Sequence, residues 1–163
     1  MVKMNDMMKA LLMDEKEENA CIQLDAILRK IVSKTKKIND CIVYDEEGTM
    51  EEEKINFDKI IQFVGDWTGY EASCNELRFE SNSISQSQFL VLASSLSNML
   101  SQKFNGKEIV VYILLCDNEI ELRFHTYRDN EGLWLDDDLN KYDNPILCWE
   151  PSGTEIYDAN VCR

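Results

Sequence analysis

One histidine, six cysteines and a run of three aspartates are the residues of this chain whose types could carry chemistry. His125 stands mid-strand between Phe124 and Thr126, so it reads as a sheet-face histidine. A single imidazole cannot build a His-rich metal centre. The cysteines, at 21, 41, 74, 116, 148 and 162, are widely spaced and form no C-x-x-C pair. Cys116 lies in an apolar run and Cys148 beside Ile146, Leu147 and Trp149. Such cysteines behave as small buried hydrophobes, and a reducing cytoplasm suits them better than a disulfide framework. Asp136-Asp137-Asp138 are consecutive and lack the glycine and the alternation of a calcium loop, so they read as a solvated loop or as a helix N-terminus, with a helical turn over Asp136–Lys141. Nucleophile-elbow, P-loop and dinucleotide fingerprints do not occur. Carboxylate pairs suited to glycoside chemistry stay open, but among 31 acids some pair looks suggestive by chance. We therefore assign no residue to catalysis, to a cofactor or to a metal, and expect a binding protein rather than an enzyme.

The charge balance is the main compositional fact. Against 17 Lys and Arg stand 31 Asp and Glu, a net charge of −14 in 163 residues. Nucleic-acid phosphates and anionic membrane surfaces repel such a protein. Basic proteins are attracted, with faster encounter. Residues 40–80 carry net −9 and residues 117–163 net −8, whereas 1–39 and 81–116 are close to neutral. No stretch of about 18 apolar residues suggests a membrane helix. The Met-rich start carries Asp6 and lacks an uninterrupted apolar region, so it reads as mature sequence.

The elements follow from periodicity. A helix is expected over about 19–37, from Leu24, Ile27, Leu28 and Ile31, with acids ahead of it and Lys34, Lys36 and Lys37 at its end. Residues 1–13 read as a helical appendage. Residues 41–44 suit a short strand, followed by the acidic loop 45–53. Asn56 caps a second helix with the stripe Phe57, Ile60, Ile61, Val64 and Trp67, its end bracketed by Gly65 and Gly69. Residues 75–80 alternate as a strand. Ser85-Gln-Ser-Gln88 forms a capping box, with Ile84 able to staple onto Phe89, and opens a third helix. A hairpin follows. Residues 109–116 are almost wholly apolar, Asp117-Asn118 can turn, and 119–127 alternate. Ile120, Leu122, Phe124 and Thr126 are expected inward, and Glu121, Arg123 and His125 outward or sideways. A long acidic loop spans 128–144, 146–149 is a last short strand, and 151–163 reads as a weakly structured tail. The whole reads as one domain, 1–163, of α+β class: a largely antiparallel sheet with a C-terminal hairpin, packed against three or more helices.

The segment 127–149 (YRDNEGLWLDDDLNKYDNPILCW) embeds Trp134 and Tyr142 among acids. Aromatics are enriched at interface hot spots, and neighbouring carboxylates can pair a partner's Lys or Arg. Equally, Leu133, Trp134, Leu135 and Leu139 can cover one end of the core. The two readings are compatible.

The hairpin followed by HTYRDNEGLWLDDDLNKYDNPILC resembles the end of small bacterial immunity proteins, which accompany polymorphic toxins and contact-dependent growth inhibition systems. The likeness covers residues 108–149. It implies a cytosolic protein that binds a toxin domain and blocks it. Many such toxins are basic nucleases, which a −14 inhibitor suits. The expected contact surface is Glu131, Asp136, Asp137, Asp138 and Asp143 with Trp134 and Tyr142, supplemented by Glu51, Glu52 and Glu53. Other readings are an acidic adaptor or nucleic-acid mimic acting on another basic protein, a small carboxylate- or cysteine-dependent enzyme, and an oligomerisation subunit.

Overall fold

The computed structural model describes residues 1–14 and 21–151. It is α+β. Seven strands and five α-helices run in the order β1 (Val2–Met4), α1 (Asp6–Met13), α2 (Cys21–Lys34), β2 (Thr35–Ile38), β3 (Cys41–Tyr44), α3 (Phe57–Val64), α4 (Trp67–Cys74), β4 (Glu76–Glu80), α5 (Phe89–Lys103), β5 (Ile109–Cys116), β6 (Glu119–Thr126) and β7 (Ile146–Trp149). Five strands form one antiparallel sheet in the order β1-β7-β5-β6-β4, and β2-β3 form a separate hairpin.

Each face of the large sheet has its own cover. On the first, Val111, Ile113, Leu122, Phe124 and Leu147 meet Leu28, Ile31, Leu92 and Leu96 of α2 and α5. Period-two alternation makes this face, and the helical stripes fill it. The capping box of Ser85 and Gln88 is formed, and Ile84 and Phe89 are both buried in this core. At the hairpin tip Asp117 takes a φ of 53°, the left-handed turn that an acidic side chain tolerates.

The second face differs from expectation. Glu121 and His125 do not point to solvent but are buried. Side chains of the loop 127–145 pack over Val110, Tyr112, Leu114, Ile146 and Cys148 of this face, and Glu121 is enclosed by Arg78 and Arg123. The far end of this face is charged: Arg78 contacts Glu76, Glu119 and Glu121, and Arg123 contacts Glu76 and Glu121.

The N-terminal segment holds the expected short helix, α1, but also adds a strand to the sheet and docks on the core. Val2–Met4 pairs with β7, and Met8 of α1 is fully buried in the core. Asn5 secures the junction. Its side chain caps α1 at Met8, accepts from the Ile146 amide, and donates to the Asn144 carbonyl. The expected tail lies outside the described residues, as does the acidic run 15–18.

Two further elements were not anticipated. The helix read to end near residue 37 stops at Lys34, and Lys36 and Lys37 belong to β2. The single helix read from Asn56 to about Gly69 is two. Gly65, at φ 98°, ends α3, and Asp66 caps α4 by accepting from the Gly69 amide at 2.6 Å.

Helix α4 joins the two sheets. Glu71 accepts from the Ile42 amide of β3 at 2.7 Å and from the Thr126 amide and hydroxyl of β6, and it pairs with Arg128 at 3.0 Å. Asn75 accepts from the Tyr44 amide at 2.6 Å and donates to the carbonyls of Ile42 and Phe124. Strand β4 pairs with β6 only as far as Arg123. Beyond that point these two side chains supply the hydrogen bonds that a neighbouring strand would give. Both residues are fully buried, so removing either orphans several polar groups at once. Glu71→Ala is expected to cost about 3–5 kcal/mol, the range for breaking a buried ion pair. Asp25→Ala, which breaks the exposed pair with Arg29, is expected to cost under about 1 kcal/mol. Urea unfolding midpoints of the two variants check this contrast.

Candidate functional site

The acidic loop is fixed at both ends and along its length. At its start, Arg128 reaches back to Glu71, and Gly132 closes a turn by donating to the Arg128 carbonyl. Glu131 then accepts from the amides of Trp67 and Thr68, so it caps α4 from outside that helix. Burial opposes its charge, but these hydrogen bonds prevail and hold its carboxyl below the ordinary range. Trp134 lies edge-on to Tyr112, 5.6 Å between ring centres, and the Arg123 guanidinium sits 4.8 Å over its other side. The reading of Trp134 as cover for the core is thus realised, with a cation–π contact added. Tyr142 is half-buried, and its hydroxyl accepts from the Asp136 amide. At the far end Asn144 donates to the Leu115 carbonyl.

With the aromatic side chains turned inward, the carboxylates remain outward. Asp136, Asp137, Asp138 and Asp143 are all exposed, and the Asp137 side chain keeps 83 % of its accessible surface. Several carry local duties. Asp136 pairs with Lys141, which with the Asp138 amide lowers its carboxyl from the usual value. Asp137 pairs with Lys3 across the sheet edge, and Lys3 also meets Glu150. Asp138 accepts from the Asn140 amide at the head of the turn Leu139–Lys141.

Glu51, Glu52 and Glu53 are exposed too, in the connection between β3 and α3. They belong to the layer around the small hairpin, where Met50, Ile55, Phe57 and Ile60 pack against Ile38, Cys41, Val43 and Tyr70. Glu51 pairs with Lys54, and Glu52 accepts from the Asn39 amide. The expected surface therefore falls into two patches, the loop and this connection. Asp45, from the same acidic run, is no surface group: it is buried against Lys36, which with the Met50 and Thr49 amides draws its carboxyl down to about 2.

Burial dominates the surroundings of the described cysteines and of His125. Burial pushes the thiols of Cys41 and Cys148 up to about 12. Cys116 and Cys74 are raised as well, again first by burial. A thiol so placed is a poor nucleophile. His125 is fully buried and stacked on Tyr112, 5.8 Å between ring centres, with Nδ1 on the Thr126 carbonyl and Nε2 without a hydrogen-bond partner. Burial lowers its pKa to about 4. Among the described residues, no group of three His, Cys, Asp or Glu side chains is arranged to hold a metal ion. No described helix is long and apolar enough to cross a membrane.

The fold is thus a five-stranded antiparallel sheet whose second face is closed by an acidic loop. The chain belongs to the Uncharacterized protein PM0498 family, whose profile matches residues 3–158. No curated protein and no solved structure matches it.

His125 gives a pH signature. Its folded value of about 4 lies below the unfolded value of 6.5, so unfolding takes up a proton between the two. Stability is full above 6.5, falls as the pH drops through this window, and is lower by about 3 kcal/mol at its acid end. His125→Phe keeps a ring against Tyr112 and removes the titration. Urea unfolding at a series of pH values is expected to show a slope between 6.5 and 5 in the parent and a flat line in the variant.

Proposed function

We propose that this protein acts by binding a basic protein, and that the partner is a toxin domain which it neutralises as a cytoplasmic immunity protein. The observation that carries this reading is the presentation of its carboxylates. Asp136, Asp137, Asp138 and Asp143 stand exposed on a loop whose backbone is pinned from beneath by Arg128, Glu131, Trp134 and Tyr142. A pinned loop loses little conformational freedom when a partner settles on it, so more of the contact energy appears as affinity. The net charge of −14 draws a basic partner from a distance and repels phosphate-bearing ligands. The inert state of the buried thiols and of His125 supports binding over catalysis.

The likeness of residues 108–149 to immunity proteins selects a toxin over another basic protein. Both share the electrostatics and differ in consequence, because only a toxin partner makes the protein protective. The test is co-expression with the basic toxin domain proposed as its partner. Cells carrying both are expected to grow, and cells carrying the domain alone to arrest. Replacing Asp136, Asp137 and Asp138 together by Lys is expected to slow association about 10-fold or more at low salt, with a smaller effect at high salt. Association rates measured by stopped flow check this. Unchanged association in the triple variant would remove the loop from the contact surface.

A further inference from the structure

We infer that α3, with the groove beside it, is the apolar anchor site for a basic–apolar segment of the protein partner. This rests on the reading of the protein as a binder of basic proteins and names where the grip lies. Helix α3 has a strong apolar stripe, and a stripe of that kind normally faces a core. Here it does so only in part. Phe57 and Ile60 lean on the hairpin layer, yet α3 buries no residue fully, whereas each other α-helix does. Phe63 is 87 % exposed and Val64 42 %. A large aromatic left in water beside further apolar surface is characteristic of an interaction site.

The neighbourhood completes the site. Val64 lines a groove of about 290 Å³ together with Leu133 and Trp134 of the acidic loop and with Asp66, Thr68, Gly69 and Ser73 in and before α4. The groove therefore lies between α3 and the root of the acidic loop. Its lining mixes the apolar side chains of Val64, Leu133 and Trp134 with the polar ones of Asp66, Thr68 and Ser73. It offers a place for one apolar side chain, with Asp66 available to a Lys or Arg next to it in the partner.

Charge selects the occupant. Residues 51–66 contain five carboxylates, Glu51, Glu52, Glu53, Asp58 and Asp66, against Lys54 and Lys59. Lys54 is already paired with Glu51. A second copy of this chain would bring the same acids and a further −14 charge to the contact. An anionic lipid surface would be repelled for the same reason. A segment that alternates basic and apolar side chains satisfies both the stripe and its rim. The two patches then divide the work: loop carboxylates speed encounter, and α3 with its groove holds the bound partner and slows its release.

The experiment titrates the isotopically labelled protein with an amphipathic Leu/Lys peptide and follows backbone amide signals. Ser/Lys and Leu/Glu peptides of the same length are run in parallel, as are phosphatidylcholine vesicles. Expected are shifts at Phe57–Val64, Asp66 and Trp134 with the Leu/Lys peptide, weak ones with Ser/Lys and none with Leu/Glu. Phe63→Ser, at a position too exposed to disturb the fold, is expected to weaken the peptide by about 10-fold. If the Leu/Lys peptide moves only Asp136–Asp143, the anchor site is overturned while the acidic binding reading stands. If Leu/Glu binds as well as Leu/Lys, both fail. Three other results overturn the anchor site: self-association abolished by Phe63→Ser, vesicle binding through α3, or Phe63→Ser shifting the signals of residues 152–163 without any peptide.

Discussion

Two sheets meet in this protein without pairing, and the side chains of Glu71 and Asn75 make the joint. The open edge of β6 beyond Arg123 and the open edge of β3 both carry backbone groups that need partners inside the protein. A direct strand pair would satisfy them with backbone. Here α4 lays a carboxylate and a carboxamide one helical turn apart into the gap. The carboxylate only accepts, so it takes amides from both strands. The carboxamide donates and accepts, so it reads a carbonyl on each side and an amide on one. Arg128 balances the buried charge. Because Arg128 also opens the acidic loop, and Glu131 of that loop caps α4, joint and loop position each other. The backbone that carries the exposed carboxylates is thereby tied to this joint.

The parts legible in the sequence were those whose signal is local. Residues 109–126 announce a hairpin, because a run buried on both faces is followed by strict alternation across a two-residue turn. Helix α5 shows its start through Ser85 and Gln88. The missed parts lack such signals. Helix α4 is nearly unpatterned, because it is wedged between layers and buries Thr68, Tyr70, Glu71 and Ala72 in close succession. Strand β2, Thr-Lys-Lys-Ile, is short and basic, and its lysines suit a helix C-terminus equally well. Strand β1 is three residues long, and its partner lies at the other end of the chain.

The site was half legible for a related reason. Exposure of Asp136–Asp138 and of Glu51–Glu53 follows from their composition, and the structure places them at the surface. Their local pairings do not follow from composition. Lys3 meets Asp137 from 134 residues away. The inward turn of Trp134 depends on Tyr112 and Arg123, which only the folded sheet brings beneath it. The exposure of Phe63 is not legible in the sequence, because it flanks the stripe of α3 and nothing local distinguishes an exposed flank from a buried one.

Among the described residues, Cys41, Cys148 and His125 are buried, whereas Asp136, Asp137, Asp138 and Asp143 are exposed. Exposed ion pairs contribute little to holding the fold. In the proposed function their carboxylates act instead through the field they set up, which is screened by salt. The most direct measurement of the central claim is calorimetric titration of this protein against the basic toxin domain proposed as its partner, at about 50 mM and about 500 mM salt. The account predicts a one-to-one complex that weakens as salt rises. A complex indifferent to salt, or no complex with a basic domain at low salt, would contradict it.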